Sequence, residues 1–290
     1  MSNEIMDRRH FIGSSDAPAI VGLSKWTSPV QLWLEKVGLA PPREDNIAME
    51  LGRFLEPFVL GKFEEYMDEP VGHRQAVLSD PVRPWRVAHI DGRRVGGDIV
   101  EAKTAGMVFL SSNHGWGEPG TDEVPDPYIV QGQHILSLDP EAEIVWMPVL
   151  LRGVFAVYRI PRNEEIIKSL INAEEEFWGM VEKQTPPEPR SVEDLKALFP
   201  VSQEKKVIAT QEIIDDLASL KTVKDGIKKL EKLEEDIKFR ILSRMGESDT
   251  LIVDPSGKTL ATWKTQNKKG YTVKESQSRV FRPKFKDLED

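Results

Sequence analysis

Ala88-His89-Ile90-Asp91-Gly92, followed closely by Asp98-Ile99-Val100-Glu101-Ala102-Lys103-Thr104, is the stretch on which the fold of this chain turns. An apolar run ending in Asp-Gly reads as a strand that stops at a turn, and Gly97 to Lys103 reads as a second strand. Side chains alternate along a strand, so Glu101 and Lys103 share one face. On a central strand that face is buried, and an unpartnered carboxylate or ammonium buried there costs several kcal/mol. A chain keeps such a pair where a metal and a substrate anion complete the site. Hard divalent cations such as Mg²⁺ take oxygen ligands, which Asp91, Glu101 and the backbone carbonyl of Ala102 can supply. Lys103 would then meet the substrate anion or the attacking water. Spacing alone leaves a plainer reading open, two solvated acids and a lysine on an edge strand.

Outward from this stretch, Val77-Leu78, Val87 to Ile90, Ile144 to Leu150 and Val154 to Ile160 are short apolar runs between turn residues, expected as strands of one sheet. Asp126 to Leu138 and Asn163 to Glu182 read as helices, the second capped by Asn163. Upstream, Ser15 and Asp16 are helix-start residues before Ala17-Pro18-Ala19-Ile20-Val21, and Pro29 to Lys36 forms another helix. Ile47 to Met67 spaces Leu51, Leu55, Phe58, Val59 and Phe63 at helical intervals. The expected class is therefore α/β, with a central mixed sheet flanked by helices.

Thr185-Pro186-Pro187-Glu188-Pro189 punctuates the chain, so one domain is expected over 1–185 and a C-terminal extension over 190–290. In the extension, apolar residues from Ile213 to Ile241 recur at a mean period near 3.5, which predicts a long amphipathic helix over 210–245. A β-hairpin and basic tail are expected over 249–290.

The 290 residues are 39% hydrophobic and 30% charged, which excludes a membrane bundle and a largely disordered chain. No apolar run approaches the ~18 residues of a membrane span, and Met1 to Asp7 lacks the basic-then-apolar order of a signal peptide. The absence of cysteine excludes disulfides, cysteine nucleophiles and cysteine-ligated metals, and a cytoplasmic protein is expected. The net charge is −9, yet residues 255–286 hold nine Lys and Arg against one acid, Glu275. An acidic body with a basic tail suits a metal-dependent enzyme carrying an anion-binding segment. The five histidines are scattered, and none is assigned a metal.

Five motifs then fall in a recognisable order. They are Arg8-Arg9-His10-Phe11-Ile12-Gly13-Ser14-Ser15-Asp16, Trp26 to Gly38, Gly52-Arg53-Phe54-Leu55-Glu56-Pro57, the Asp91…Glu101-x-Lys103 constellation, and Tyr128-Ile129-Val130-Gln131-Gly132-Gln133. Over about residues 8–160 this order resembles the YqaJ-like viral recombinase family, relatives of the lambda-type exonuclease within the PD-(D/E)XK nuclease superfamily. Ser14 and His89 depart from its usual small residues.

The resemblance implies a restriction-endonuclease-like core. It implies a metal, Mg²⁺ or Mn²⁺, held by Asp91, Glu101, the Ala102 carbonyl and a supporting Glu56. Catalytic roles fall on Asp91, Glu101, Lys103 and Gln131, and a DNA 5′-phosphate pocket falls on Arg8, Arg9 and Ser15. It further implies 5′→3′ exonuclease action on double-stranded DNA ends for recombination by annealing. The implied partners are a single-strand annealing protein and further copies in a ring-shaped trimer. A nuclease-like accessory protein and a restriction-type endonuclease are the rival readings.

Overall fold

The structure is a computed structural model that describes residues 7–40, 45–105, 115–253 and 257–267, with residues 270, 281 and 283. Most of the basic tail expected at the C-terminus lies outside the described residues. The chain divides into two compact units, Met1–Leu198 and Phe199–Asp290.

The first unit opens with a 3-10 turn at Arg8–His10, then β1 (Ile12–Gly13), α1 (Ala17–Ile20), α2 (Pro29–Lys36) and α3 (Ile47–Met67). Next come β2 (Ala76–Ser79), β3 (Arg86–Ile90), β4 (Gly92–Arg93), β5 (Ile99–Val100), β6 (Lys103–Ala105) and α4 (Asp126–Ser137). The unit closes with β7 (Ile144–Leu151), β8 (Val154–Pro161), α5 (Glu164–Glu182) and α6 (Val192–Leu198). Helix starts follow their side chains. Ser28 and Gln31 form a reciprocal capping box on α2, and Asn163 accepts from the Glu165 and Ile166 amides at the start of α5.

The strands expected in one sheet form two. β3 lies between β1, parallel to it, and β2, antiparallel. In the other sheet β5 and β6 run parallel to the same edge of β7, β4 pairs antiparallel with β5, and β8 pairs antiparallel with the far edge of β7. The chain passes from the first sheet to the second at Asp91-Gly92. Glycine is required there, because a Cβ on Gly92 would stand 2.1 Å from Val71 Cγ1. Val145, Met147 and Val149 of β7 are fully buried at the centre of the core.

The single strand expected over Gly97 to Lys103 is interrupted. β5 and β6 keep one register against β7, with Ile99 opposite Val145 and Lys103 opposite Val149. Glu101 and Ala102 fall in the gap, facing Met147 and Pro148. The Glu101 N–H still donates to the Trp146 carbonyl at 2.9 Å, but Pro148 has no N–H to return to the ladder, and the Ala102 N–H, on the opposite edge, donates to Asp91. The interruption is thus written into the partner strand, and it frees backbone at the position where the site forms.

Behind the sheets lies a buried ionic network. Arg86 of β3 donates to Glu174 of α5 (2.7 Å), Asp80 (2.8 Å) and Ser137 Oγ of α4 (2.7 Å). His134 of α4 joins the same glutamate (2.7 Å), and its other ring nitrogen faces the Val87 carbonyl of β3 (3.1 Å). Three elements are thereby tied together with their charges paired.

The boundary expected near 185–190 moves beyond α6. Asp194 is buried, bonds Ser28 at the start of α2, and accepts the Arg190 amide at 2.9 Å, so this unforeseen short helix belongs to the first unit. The second unit contains α7 (Gln211–Met245), capped by Thr210, and a hairpin of β9 (Thr250–Ile252) and β10 (Thr259–Thr262). Among the described residues, no helix is long and apolar enough to cross a membrane.

Candidate active site

The turn after β3, the gap between β5 and β6, α3 and α4 bring one cluster together. Asp91 Oδ2 accepts the Ala102 amide at 2.8 Å. Glu101 is buried, and its Oε1 accepts from Lys103 Nζ at 2.7 Å and from Gln131 Nε2 at 2.8 Å. Its Oε2 is buried with no hydrogen-bond partner. Glu56, from α3, accepts from Gln75 Nε2 at 2.6 Å. The side chains of Glu101 and Lys103 meet as strand alternation predicts, although the strand itself is broken between them.

The electrostatics are those of a site short of positive charge. Burial first, then the Glu101 charge, push the Asp91 carboxyl up to about 8, against the pull of Lys103. Burial and the same Glu101 charge raise Glu56 above its ordinary value. Burial pulls the Lys103 ammonium down, but Glu101 and Asp91 outweigh it and hold the ammonium above the usual lysine range. One lysine therefore serves three carboxyl groups, and an oxygen of the most buried one is left over. An orphaned carboxylate oxygen among crowded acids fits a hard divalent cation. The fit rests on Asp91, Glu101 and backbone oxygen, because among the described residues no three His, Asp or Glu side chains are gathered into a metal-holding group. Glu56 is close enough to Glu101 to feel its charge, but its bonded partner is Gln75.

The opening motif forms a second cluster with a different internal order. Of the two expected helix-start residues, Asp16 takes the cap position of α1 and Ser15 lies exposed before it. Asp16 does not cap the helix through its side chain. Its carboxylate takes the Gly13 amide (3.0 Å), Arg8 (2.7 Å) and the fully buried ammonium of Lys36 (2.7 Å). Burial would raise this carboxyl, yet Lys36 and Arg8 hold it below its ordinary value. Arg8 also reaches Ser15 Oγ at 3.1 Å, so these two predicted residues do come together. Arg9 does not join them, being bonded instead to Asp7. The two clusters approach through Ser14, whose Oγ lies 3.5 Å from Gln131 Nε2.

Three participants were assigned no role from the sequence. Lys36, within the Trp26 to Gly38 motif, organises Asp16 from α2, and Gln75, outside every motif, holds Glu56 from a loop. The Tyr128 ring lies 5.8 Å from Lys103 Nζ. Helical spacing could have found it, since Tyr128 lies one turn before Gln131 on α4.

Comparison with known proteins agrees with the motif order. Residues 5–138 match the family model of the YqaJ-like viral recombinase domain. The chain is 37% identical over 179 residues to Uncharacterized protein YqaJ of Bacillus subtilis (strain 168), an alignment covering 60% of this chain and 54% of that protein. The chain thus spans about half the length of the curated relative it matches. Among solved structures, it is similar to an alkaline exonuclease from Laribacter hongkongensis, with 17% identity and a TM-score of 0.47, covering 61% of this chain and 91% of that one. A phage related exonuclease from Haemophilus somnus 129PT gives 13% identity and a TM-score of 0.47, covering 60% and 96%. The resemblance read from the ordered motifs is borne out over residues 5–138.

Proposed function

We propose, from the likeness of residues 5–138 to the YqaJ-like viral recombinase domain and from the carboxylate–lysine cluster, that this chain is a metal-dependent deoxyribonuclease. Its substrate is an end of double-stranded DNA, degraded 5′→3′ as an exonuclease. The observation that carries the reading is the Glu101 carboxylate, with one oxygen shared between Lys103 and Gln131 and the other buried without a partner.

Asp91, Glu101 and the Ala102 carbonyl would hold Mg²⁺ or Mn²⁺, with Glu56 in support, and such a cation would supply Lewis-acid stabilisation of phosphoryl charge and a lowered pKa for an attacking water. The chain supplies the rest. Lys103 brings a fixed positive charge to the place where phosphoryl charge develops. Gln131, through its bond to Glu101, fixes the rotamer of that carboxylate. The Ala102 amide does the same for Asp91. Arg8 and Ser15 offer a cation and a hydroxyl to a 5′-phosphate, and Arg9 contributes only after leaving Asp7. A single-strand annealing protein as partner, and a ring-shaped trimer, complete this reading.

The test uses end-labelled linear duplex and closed circular duplex with Mg²⁺ present or withheld. Mg²⁺-dependent loss of label from linear DNA alone supports the exonuclease. Cutting of circles makes it an endonuclease, and no cleavage at all makes it an accessory binder. Lys103→Ala should slow cleavage by about 10²–10³-fold while leaving DNA affinity nearly unchanged, since most affinity comes from other phosphate contacts. Equal loss of rate and affinity would remove Lys103 from the chemistry.

A further inference from the structure

The second unit carries a feature that nuclease chemistry does not use. α7 runs for 35 residues, roughly 52 Å at the usual helical rise. Val223, Ile227, Leu230, Ile237 and Ile241 lie exposed along it, and Leu220 is only partly covered. Their spacing keeps to about 3.5 residues, the repeat that stays aligned with a second helix winding around the first and with no flat surface. The seam is therefore shaped for another helix of the same repeat.

Charge says which helix, and in which direction. From Gln211 to Leu220 the helix carries three acids, Glu212, Asp215 and Asp216, and no base. From Ile237 to Met245 it carries three bases, Lys238, Arg240 and Arg244, and no acid. Each end is thus complementary to the opposite end of another α7 and repelled by its own kind. Glu234 points the same way. It occupies the seam one heptad after Ile227, so a parallel, in-register pair would set two Glu234 carboxylates against each other. An antiparallel pair sets each against an apolar position of its neighbour.

We propose that α7 pairs with α7 of a second copy of this chain, antiparallel, with Ile227 and Leu230 near the two-fold axis. Such a contact is isologous and closes on two copies. It is therefore distinct from any contact that would close a three-membered ring, and it does not depend on the nuclease reading.

The experiment measures the mass of the full-length chain by sedimentation over a concentration series. An even-numbered assembly is expected, whose mass halves in Leu230→Glu as the α7 dissociation constant rises about a hundredfold. Reversing the acidic end (Glu212→Lys, Asp215→Lys, Asp216→Lys) should also halve the mass. Adding Lys238→Glu, Arg240→Glu and Arg244→Glu should restore it, which a folding defect would not do. The absence of cysteine makes direction directly readable. Oxidised Ile213→Cys alone should stay uncrosslinked, and a mixture of Ile213→Cys with Arg244→Cys chains, the positions set opposite by that axis, should form crosslinked pairs. A monomeric or purely three-fold wild type, an unchanged mass in Leu230→Glu, or self-crosslinking of Ile213→Cys would each overturn the proposal.

Discussion

α5 and α7 are both amphipathic helices dense in charge, and they meet opposite fates. α5 buries Ile167, Leu170, Phe177 and a carboxylate, Glu174. α7, almost twice as long, buries only Met245 among its described side chains. Periodicity therefore predicts that a helix has an apolar face but not that the face is covered. Coverage depends on what the rest of the chain brings to it. For α5 that counter-surface includes Arg86 and His134, which make even Glu174 tolerable inside the core. For α7 the complement is another α7. Charge follows the two helices in the same way: the Glu174 carboxylate of α5 is paired and fully buried, whereas the Lys238–Glu234 pair on α7 is exposed.

The largest effect that sharpens this contrast should come from Arg86→Met. It leaves Glu174 and Asp80 without their shared cation in a buried position, and about 3–5 kcal/mol of stability should be lost. Urea midpoints would show it. A loss below about 1 kcal/mol, the size of a surface pair, would mean that the network is no more than a surface feature that happens to be covered.

The contrast was only half legible in the amino-acid sequence. Helices that show their own spacing and caps, such as α2, α5 and α7, were readable because those signals are local. Asp91, Glu101, Lys103 and Gln131 were readable as an ordered motif, and the structure brings them together. The break at Glu101-Ala102 was not, because its cause is Pro148 on the neighbouring strand. His134 looked like one of several scattered histidines because its partner Glu174 lies forty residues away. Asp16 looked like a helix cap, yet its carboxylate is claimed by Lys36 from the next helix. In each case the missing information is a partner that only the tertiary fold supplies.

A medium effect should appear with pH. Burial would raise the Glu174 carboxyl, but His134 and Arg86 hold it below its ordinary value in the folded state. A carboxyl depressed on folding contributes stability above its unfolded value, near 4.5, and that contribution fades as pH falls through the lower folded value. Stability should accordingly drop as the solution is taken from neutral into the acid range below that value. In Glu174→Gln the protein should be weaker at neutral pH, with a flatter acid limb. Thermal midpoints across that range would measure both. An unchanged slope would place the acid sensitivity in Asp16 or Asp80, whose carboxyls are also held low by neighbouring cations.

The smallest effect separates the units by a single methyl group placed on one glycine in each. On α4 a Cβ at Gly132 would stand 3.0 Å from Ile160 Cδ1 and 3.2 Å from its Cγ2. Helix and strand approach closely there, one residue from Gln131. Ala at 132 must push Ile160 or α4 aside, and about 1–3 kcal/mol should be lost. Cleavage should fall too, because the same shift moves Gln131 relative to Glu101. On α7 a Cβ at Gly226 would meet nothing within 4 Å. There the helix-forming preference of alanine acts alone, and Gly226→Ala should stabilise the helix by about 0.5–1 kcal/mol. Circular dichroism at 222 nm during thermal unfolding reads the second variant, and urea midpoints with a cleavage rate read the first. Opposite signs are expected. If both alanines destabilise, α7 is packed as tightly at Gly226 as α4 is at Gly132, and the distinction between a covered and an uncovered helix fails at that point.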